Sequence, residues 1–340
     1  MSPAHAKRRK LAHEQMTLEF PDNSFLAALG GAHQKNFVRL EQKLGVRVAT
    51  RGNLVALEGS TEAREYAASV LRALYARIEG GEDIGPGEVD AEIRFARHEE
   101  PKADGDFGIP AVKTAAGRTV RARSPAQSAY LDLMRTHPLV FGIGPAGTGK
   151  TYLAAAFGAH LLYERRVERL VLSRPALEAG ERLGFLPGDL REKIDPYLRP
   201  LYDALFETMG EHCTRLLESG TIEVAPLAFM RGRTLARAFV ILDEAQNCTS
   251  AQMKMFLTRL GEDSRMVVTG DPSQSDLPGG RGEGLSEALS ILDGVEGVAT
   301  AQFSDKDVVR HPLVTRIVRA YAESDTPALP QRYRKREGGG

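Results

Sequence analysis

The sequence has few features of secreted, metal-cluster or membrane-spanning proteins. Of its 340 residues only Cys213 and Cys248 are cysteines, too few for a disulfide scaffold or a metal cluster. No apolar run reaches the roughly 18 residues that a membrane-spanning helix needs. The basic residues near the amino terminus are not followed by the apolar segment of a secretory signal. We therefore expect a soluble, cytoplasmic protein without a membrane partner.

The chain also lacks an excess of charge of either sign. Its 45 lysines and arginines balance 45 aspartates and glutamates, so binding of a nucleic acid would depend on local basic patches. Such patches occur at residues 7–10, 231–237 and 332–336. Basic runs at chain ends are often solvated, and we predict disordered basic tails over residues 1–15 and 326–340.

A segment rich in glycine, proline and acidic residues divides the sequence. Residues 81–117 include E-D-I-G-P-G-E and E-E-P-K-A-D-G-D-F-G-I-P, which can bury little apolar surface. This composition predicts a linker, with one short strand near residues 91–96. Two domains are therefore expected, over residues 16–80 and 118–325, as the chain length also favours.

The segment over residues 16–80 has the pattern of a small α/β domain. Strand, helix and turn signals follow the order β-α-α-β-β-α, with Gly30-Gly31 between the first two helices. This order resembles a KH-type RNA-binding module, which holds a single-stranded backbone with a G-x-x-G turn. The turn here reads G-G-A-H, with His33 in place of the second glycine. The alternative is a small docking domain that does not contact RNA.

After the linker, short apolar segments alternate with helical segments to about residue 322. This alternation is typical of a doubly wound parallel sheet that is buried on both faces. Six strands are predicted, at residues 139–143, 170–173, 222–225, 239–242, 266–269 and 298–303.

The loop after the first of these strands contains a phosphate-binding motif. G-P-A-G-T-G-K-T matches G-x-x-x-x-G-K-[ST] and lies directly between a predicted strand and a predicted helix, as a P-loop requires. In such a loop the backbone N–H groups and the helix start bind phosphates, the lysine reaches the β- and γ-phosphates, and the hydroxyl binds Mg²⁺. The predicted ATP-binding residues are Gly144, Pro145, Ala146, Gly147, Thr148, Gly149, Lys150 and Thr151.

Two further strands end in polar residues that belong to the same site. The strand over residues 239–242 ends in Asp243 and Glu244, at the edge of the sheet where the P-loop lies. Asp243 is predicted to hold Mg²⁺ with Thr151, and Glu244 to polarise the attacking water, which favours a hydrolase over a kinase. The strand over residues 266–269 leads to Gln274, the predicted sensor of the γ-phosphate.

These motifs together resemble the PhoH-like ATPases, relatives of the superfamily 1 helicases that keep one RecA-like motor domain. The resemblance rests on G-I-G-P-A-G-T-G-K-T, V-I-L-D-E-A-Q-N and T-G-D-P-S-Q-S-D-L-P and covers nearly all of residues 17–325. It implies that Gln127 reads adenine, with an exposed helix glutamine as the alternative. It also implies that Arg174 contacts single-stranded nucleic acid.

The resemblance further implies work on RNA, often beside an endoribonuclease of ribosomal RNA maturation. Two hypotheses stay open: an ATPase that remodels single-stranded RNA, and an ATP-dependent scaffold that docks the ribonuclease with little unwinding. We expect Arg231 and Arg233 to join Arg174 in a phosphate-contacting surface near the carboxyl edge of the sheet. The alternative is that Arg231 and Arg233 form salt bridges that hold their own loop.

A single motor domain also raises the question of which arginine completes the ATP site. The residues after the linker suffice for one motor domain, so an arginine finger must come from this domain or from a neighbouring subunit. Arg310 is the candidate, with Arg316 or Arg319 as substitutes and an internal salt bridge as the alternative. A finger supplied by a neighbour implies a homo-oligomeric ring, which we expect to be hexameric.

Overall fold

The part of the chain that the structure describes contains two α/β units. The computed structural model describes residues 15–97, 111–114, 119–175, 190–274 and 284–308 and positions 313, 314, 316, 317 and 320, with the backbone alone for 190–195. The predicted tails, Arg310 and Arg319 lie outside these residues, except that the amino-terminal tail ends at the described Gln15. No helix among the described residues is long and apolar enough to cross a membrane.

The amino-terminal unit contains the predicted order of strands and helices. Its elements are β1 (Gln15–Glu19), α1 (Asn23–Gly30), α2 (Lys35–Leu44), β2 (Arg47–Arg51), β3 (Leu54–Glu58) and α3 (Thr61–Glu79). The strands form an antiparallel sheet in the order β1-β3-β2. The apolar faces of the three helices pack on one side of this sheet, where Val55 and Leu57 are fully buried.

The turn between α1 and α2 is held from within the unit. Gly31, His33 and Gln34 all have positive φ angles, and the His33 side chain is exposed. The buried Asn36 amide donates to the carbonyl oxygen of Leu29 at 2.9 Å and to that of Ile84 at 3.2 Å. The conformation of the turn is therefore determined by protein contacts, and its contact with RNA stays a prediction.

The predicted strand near residues 91–96 is wrong, because these residues belong to helix α4 (Pro86–Ala96). Pro86 occupies the first turn, and the Glu88 carboxylate accepts from the backbone N–H of Gly85 at 3.0 Å, which caps the helix. Val89, Ile93 and Ala96 recur at helical spacing and are buried against the amino-terminal unit. Residues 86–96 are therefore not an extended linker; the glycine and proline there are helix-start signals.

A short two-stranded ribbon is described between α4 and the second unit in the sequence. It consists of β4 (Ala111–Lys113) and β5 (Thr119–Arg121), which pair antiparallel. Val112 and Val120 from these strands are buried in the core. Arg121 Nε donates to Glu82 Oε1 at 2.9 Å, which links the ribbon to the end of α3.

The second unit is a six-stranded parallel sheet, and all six predicted strands are confirmed to within two residues at each end. The strands are β6 (Leu139–Ile143), β7 (Arg169–Arg174), β8 (Ile222–Pro226), β9 (Ala238–Leu242), β10 (Arg265–Gly270) and β11 (Val298–Gln302). Their order across the sheet is β11-β6-β10-β9-β7-β8. Strand β10 therefore lies between β6 and β9, so the three motif-bearing strands are neighbours.

Helices cover both faces of this sheet, as its apolar strands predicted. The helices are α5 (Pro125–Thr136), α6 (Lys150–Tyr163), α7 (Leu190–Met209), α8 (His212–Glu218), α9 (Ser250–Leu257) and α10 (Gly284–Ile291). Tyr130 and Phe157 pack on one face, while Phe256 and Leu285 pack on the other. Helix α6 lies so close to the sheet that a Cβ at Gly158 would come within 2.7 Å of Phe239.

Candidate nucleotide-binding site

The loop between β6 and α6 has the backbone shape of a phosphate-binding loop. Gly144, Gly147 and Gly149 have positive φ angles of 143°, 81° and 84°, which side-chain-bearing residues rarely adopt. A Cβ at Gly144 would also lie 2.4 Å from the carbonyl oxygen of Phe303. The loop ends at the first turn of α6, where free N–H groups and the helix dipole favour an anion.

Lys150, the first residue of α6, places its ammonium group inside this loop. Its Nζ donates to the carbonyl oxygens of Gly144 at 2.6 Å and of Pro145 at 2.8 Å. Burial lowers the pKa of Lys150, while the nearby carboxylates, Asp243 foremost, oppose that shift. Lys150 thus provides a largely buried cation at the centre of the site.

Thr151 and Asp243 come together from α6 and from the end of β9. Thr151 Oγ1 donates to Asp243 Oδ1 at 2.5 Å, and Thr269 Oγ1 on β10 donates to the same oxygen at 2.7 Å. A hydroxyl and a carboxylate oxygen in direct contact are the hard ligands that Mg²⁺ prefers. These residues therefore fit the magnesium ion that the sequence predicts there.

Glu244 follows Asp243 at the edge of the sheet and has two partners. Its backbone is left-handed, with φ of 54°. Its Oε1 lies 3.3 Å from Arg174 Nη2, and its Oε2 accepts from Gln246 Nε2 at 2.5 Å. The carboxylate is thus held between a guanidinium from the end of β7 and an amide from its own loop.

Two residues of this network carry no role in the sequence-based prediction. The buried Gln246 joins Glu244 to the third motif, because its Oε1 accepts from the backbone N–H of Asp271 at 3.1 Å. The buried Thr269 orients Asp243. The sequence contains a signal for each: a third polar residue in D-E-A-Q, and one hydroxyl in the apolar strand M-V-V-T.

The third motif forms a turn at the end of β10. The backbone N–H of Gln274 donates to the carbonyl oxygen of Asp271 at 3.0 Å, and Asp271 Oδ1 accepts from Ser273. This turn places Gln274 beside Lys150 and Glu244 along one cleft of about 250 Å³. The cleft is lined by Ala146, Gly147, Gly149, Lys150, Thr151, Tyr152, Asp243, Glu244, Gln246, Gly270, Asp271 and Gln274.

Gln127 lies behind the P-loop on α5. It is 4% exposed, so the alternative of an exposed helix glutamine is wrong. Its Nε2 donates to the carbonyl oxygen of Thr148 at 2.9 Å, and its Oε1 accepts from the backbone N–H of Arg123 at 2.6 Å. These bonds support the loop directly, and the reading of adenine by Gln127 stays a prediction.

The three arginines predicted to contact RNA have different surroundings. Arg174 lies at the carboxyl edge, beside Glu244. Arg231 is exposed after the turn that follows β8. Arg233 makes a bidentate pair with Glu223, with distances of 2.6 and 2.7 Å. Because Glu223 is the second residue of β8, the expected position of Arg233 near the carboxyl edge is wrong: the chain has already turned back toward the start of β9.

A parallel sheet with this strand order, a P-loop and an acidic strand end defines a nucleotide-binding P-loop protein. Residues 119–322 match the family model described as PhoH-like protein. The chain belongs to the PhoH-like family, and is thus a nucleotide-binding, ATPase-like protein.

Relatives support this membership over most of the chain. A PhoH-like protein of Bacillus subtilis is 48% identical over 307 residues, which cover 89% of this chain and 95% of the relative. A PhoH-like protein of Mycobacterium bovis is 45% identical over 95% of this chain and 92% of its own length. Protein PhoH of Escherichia coli is 48% identical over 60% of this chain and 58% of its own length. The first two relatives therefore match this chain over both units, while the Escherichia coli protein matches part of it.

Proposed function

We propose that the protein is a Mg²⁺-dependent ATPase that acts on single-stranded RNA in the cytoplasm. The observation that supports hydrolysis is the convergence of Lys150, the Thr151–Asp243 pair and Glu244 on one cleft. A site that only held a nucleotide would need the first three of these groups. The carboxylate of Glu244 supplies a base for water, which a kinase would have to exclude.

Each group has a role that its contacts support. The loop N–H groups and Lys150 bind the phosphates, and Thr151 and Asp243 hold the metal ion, which neutralises charge on the β- and γ-phosphates when bound. Glu244 accepts a proton from the attacking water, and Gln246 orients its carboxylate. Gln274 faces the same cleft and reports the loss of the γ-phosphate.

Arg174 links this chemistry to the proposed RNA strand. Its guanidinium is the ion-pair partner of Glu244 and is 19% exposed. A phosphate of the RNA backbone that bound Arg174 would compete with Glu244, because one guanidinium cannot serve both anions fully. The released carboxylate would then be available to water, so RNA would stimulate hydrolysis.

An ATPase assay with and without single-stranded RNA tests the proposal. We expect strong stimulation in the wild type and none in Arg174→Gln, with Arg215→Gln, an exposed arginine of α8, as the matched control. An ATPase that RNA does not stimulate would favour the second hypothesis, a scaffold that docks an endoribonuclease according to its nucleotide state.

The proposal includes a hexameric ring in which Arg310 completes the neighbouring ATP site. Mixing Lys150→Ala subunits with Arg310→Ala subunits should restore part of the activity, because some interfaces then pair an intact site with an intact finger. Mixing Lys150→Ala with Glu244→Gln is the control, because both changes damage the same site. Absence of recovery at every ratio, or an active species that sediments as a monomer, would exclude a finger from a neighbour.

A further inference from the structure

A second cavity lies at the opposite edge of the parallel sheet from the P-loop. Its volume is about 460 Å³, and its lining residues precede or begin four neighbouring strands. Pro138 precedes β6, Arg166 precedes β7, Arg237 precedes β9, and Arg265 begins β10. The cavity therefore sits at the amino-terminal edge, where the nucleotide chemistry described above does not reach.

The cavity is rich in arginine. Arg165, Arg166, Arg237 and Arg265 line it, against the two acidic residues Glu168 and Asp263. Arg237 pairs with Glu168 at 2.7 Å, but both side chains are about 60% exposed, and such surface pairs hold their partners weakly. Within the described part of the chain, the side chains of Arg165 and Arg166 make no ion pair.

One of these guanidinium groups is fixed in position at the cavity. Arg265 is anchored, because its Nη1 donates to the carbonyl oxygens of Met134 and Arg135, both at 2.9 Å, at the end of α5. Burial and the neighbouring charge of Arg166 lower the pKa of Arg265. The two cations repel each other, and an anion bound in the cavity would offset that repulsion.

We propose that this cavity binds a compact oligophosphate group, either free or carried by a nucleotide. Guanidinium groups bind phosphate oxygens in a bidentate manner, and several converge here from separate loops. The volume is that of a small-molecule pocket, and the concave shape suits a diphosphate better than an extended RNA strand. This site goes beyond the proposed ATPase function and is independent of it.

Calorimetric titration with pyrophosphate tests the site in a Lys150→Ala background, where the P-loop no longer binds phosphates tightly. We expect saturable binding of one equivalent, weakened about tenfold or more by adding Arg166→Gln, because one charge-assisted contact is lost. Adding Arg51→Gln, an exposed arginine of the other unit, should leave the affinity unchanged. The ATPase rate of Arg166→Gln in the otherwise wild-type chain should be normal, which shows that the variant folds.

Parallel titrations identify the source of the phosphate. A nucleoside diphosphate that binds more tightly than pyrophosphate indicates a nucleotide ligand, and equal affinities indicate a free oligophosphate. Should Arg166→Gln not fold, Arg165→Gln takes its place in the same comparison. The proposal is overturned if neither probe depends on these arginines, or if a single-stranded RNA oligonucleotide alone depends on them, since the cavity would then be part of an extended RNA surface.

Discussion

The charged groups at the two edges of the parallel sheet are arranged differently. At the carboxyl edge, Glu244 faces Arg174, and Asp243 accepts from two hydroxyls. At the amino-terminal edge, Arg165 and Arg166 face a cavity, and within the described residues no carboxylate pairs with them. The groups at the carboxyl edge hold one another in fixed orientations. Such preorganised groups stabilise charge that develops in a reaction. At the amino-terminal edge these two guanidinium groups lack a carboxylate partner among the described residues, which favours the binding of an anion.

The largest effect is expected from Glu244 at the carboxyl edge. Glu244→Gln should slow ATP hydrolysis by at least ~100-fold while nucleotide binding is kept, because only the proton acceptor is removed. Single-turnover kinetics and nucleotide titration measure the two quantities. Lys150→Ala should instead abolish tight ATP binding. Wild-type hydrolysis in Glu244→Gln would show that another group is the base.

Alanine substitutions at two glycines test how tightly the P-loop packs against the neighbouring chain at the carboxyl edge. Gly144→Ala should destabilise the fold by about 2 kcal/mol more than Gly220→Ala, because overpacking adds to the backbone cost. Both glycines have positive φ, but a Cβ at Gly144 would meet Phe303, while one at Gly220 would meet nothing within 4 Å. Urea unfolding of both variants measures the difference, and equal losses would mean that the loop relaxes freely.

A variant of Arg265 tests whether the amino-terminal edge takes part in ATP hydrolysis. Arg265→Gln should destabilise the protein by about 1.5 kcal/mol, because the carbonyl oxygens at the end of α5 lose a charged donor. The rate of ATP hydrolysis should stay unchanged. Thermal unfolding and an ATPase assay on the same sample check both statements. A slower rate with normal stability would contradict the separation of the two edges.

The smallest effect concerns the Arg233–Glu223 pair and its pH dependence. The hydrogen bond from Arg233 lowers the pKa of Glu223 below its ordinary value of 4.5 in the folded state. The pair therefore stabilises the protein above pH 4.5, and its contribution is lost as pH falls through the lower, folded value. At pH 7, Arg233→Gln should cost about 0.5 kcal/mol, given solvent screening.

The exposed neighbour Arg231 provides the control for this pair. Denaturant midpoints of Arg233→Gln and the wild type should converge in acid, while Arg231→Gln should match the wild type at every pH. A difference for Arg233→Gln that grows in acid would contradict the assigned sign. Unchanged salt dependence of RNA binding in Arg231→Ala would show that Arg231 does not contact an RNA phosphate.

The sequence predicted the structure most accurately where one local motif determines both the backbone conformation and the functional side chains. Lys150 and Thr151 follow their glycines in one loop, so their place at the start of a helix could be read directly. It was wrong for α4, because Gly85 and Pro86 are signals of both a linker and a helix start. Only the burial of the Val89 face distinguishes these two cases.

The sequence by itself determined the parallel sheet, the P-loop and the acidic strand end, because apolar periodicity and short motifs depend on neighbouring residues. Tertiary structure decided the pairings across the sheet: Arg174 with Glu244, and Thr269 with Asp243. Each joins residues from different strands, and which strands become neighbours depends on the order in which the whole sheet packs. A pairing between distant residues leaves no local pattern from which it could be predicted.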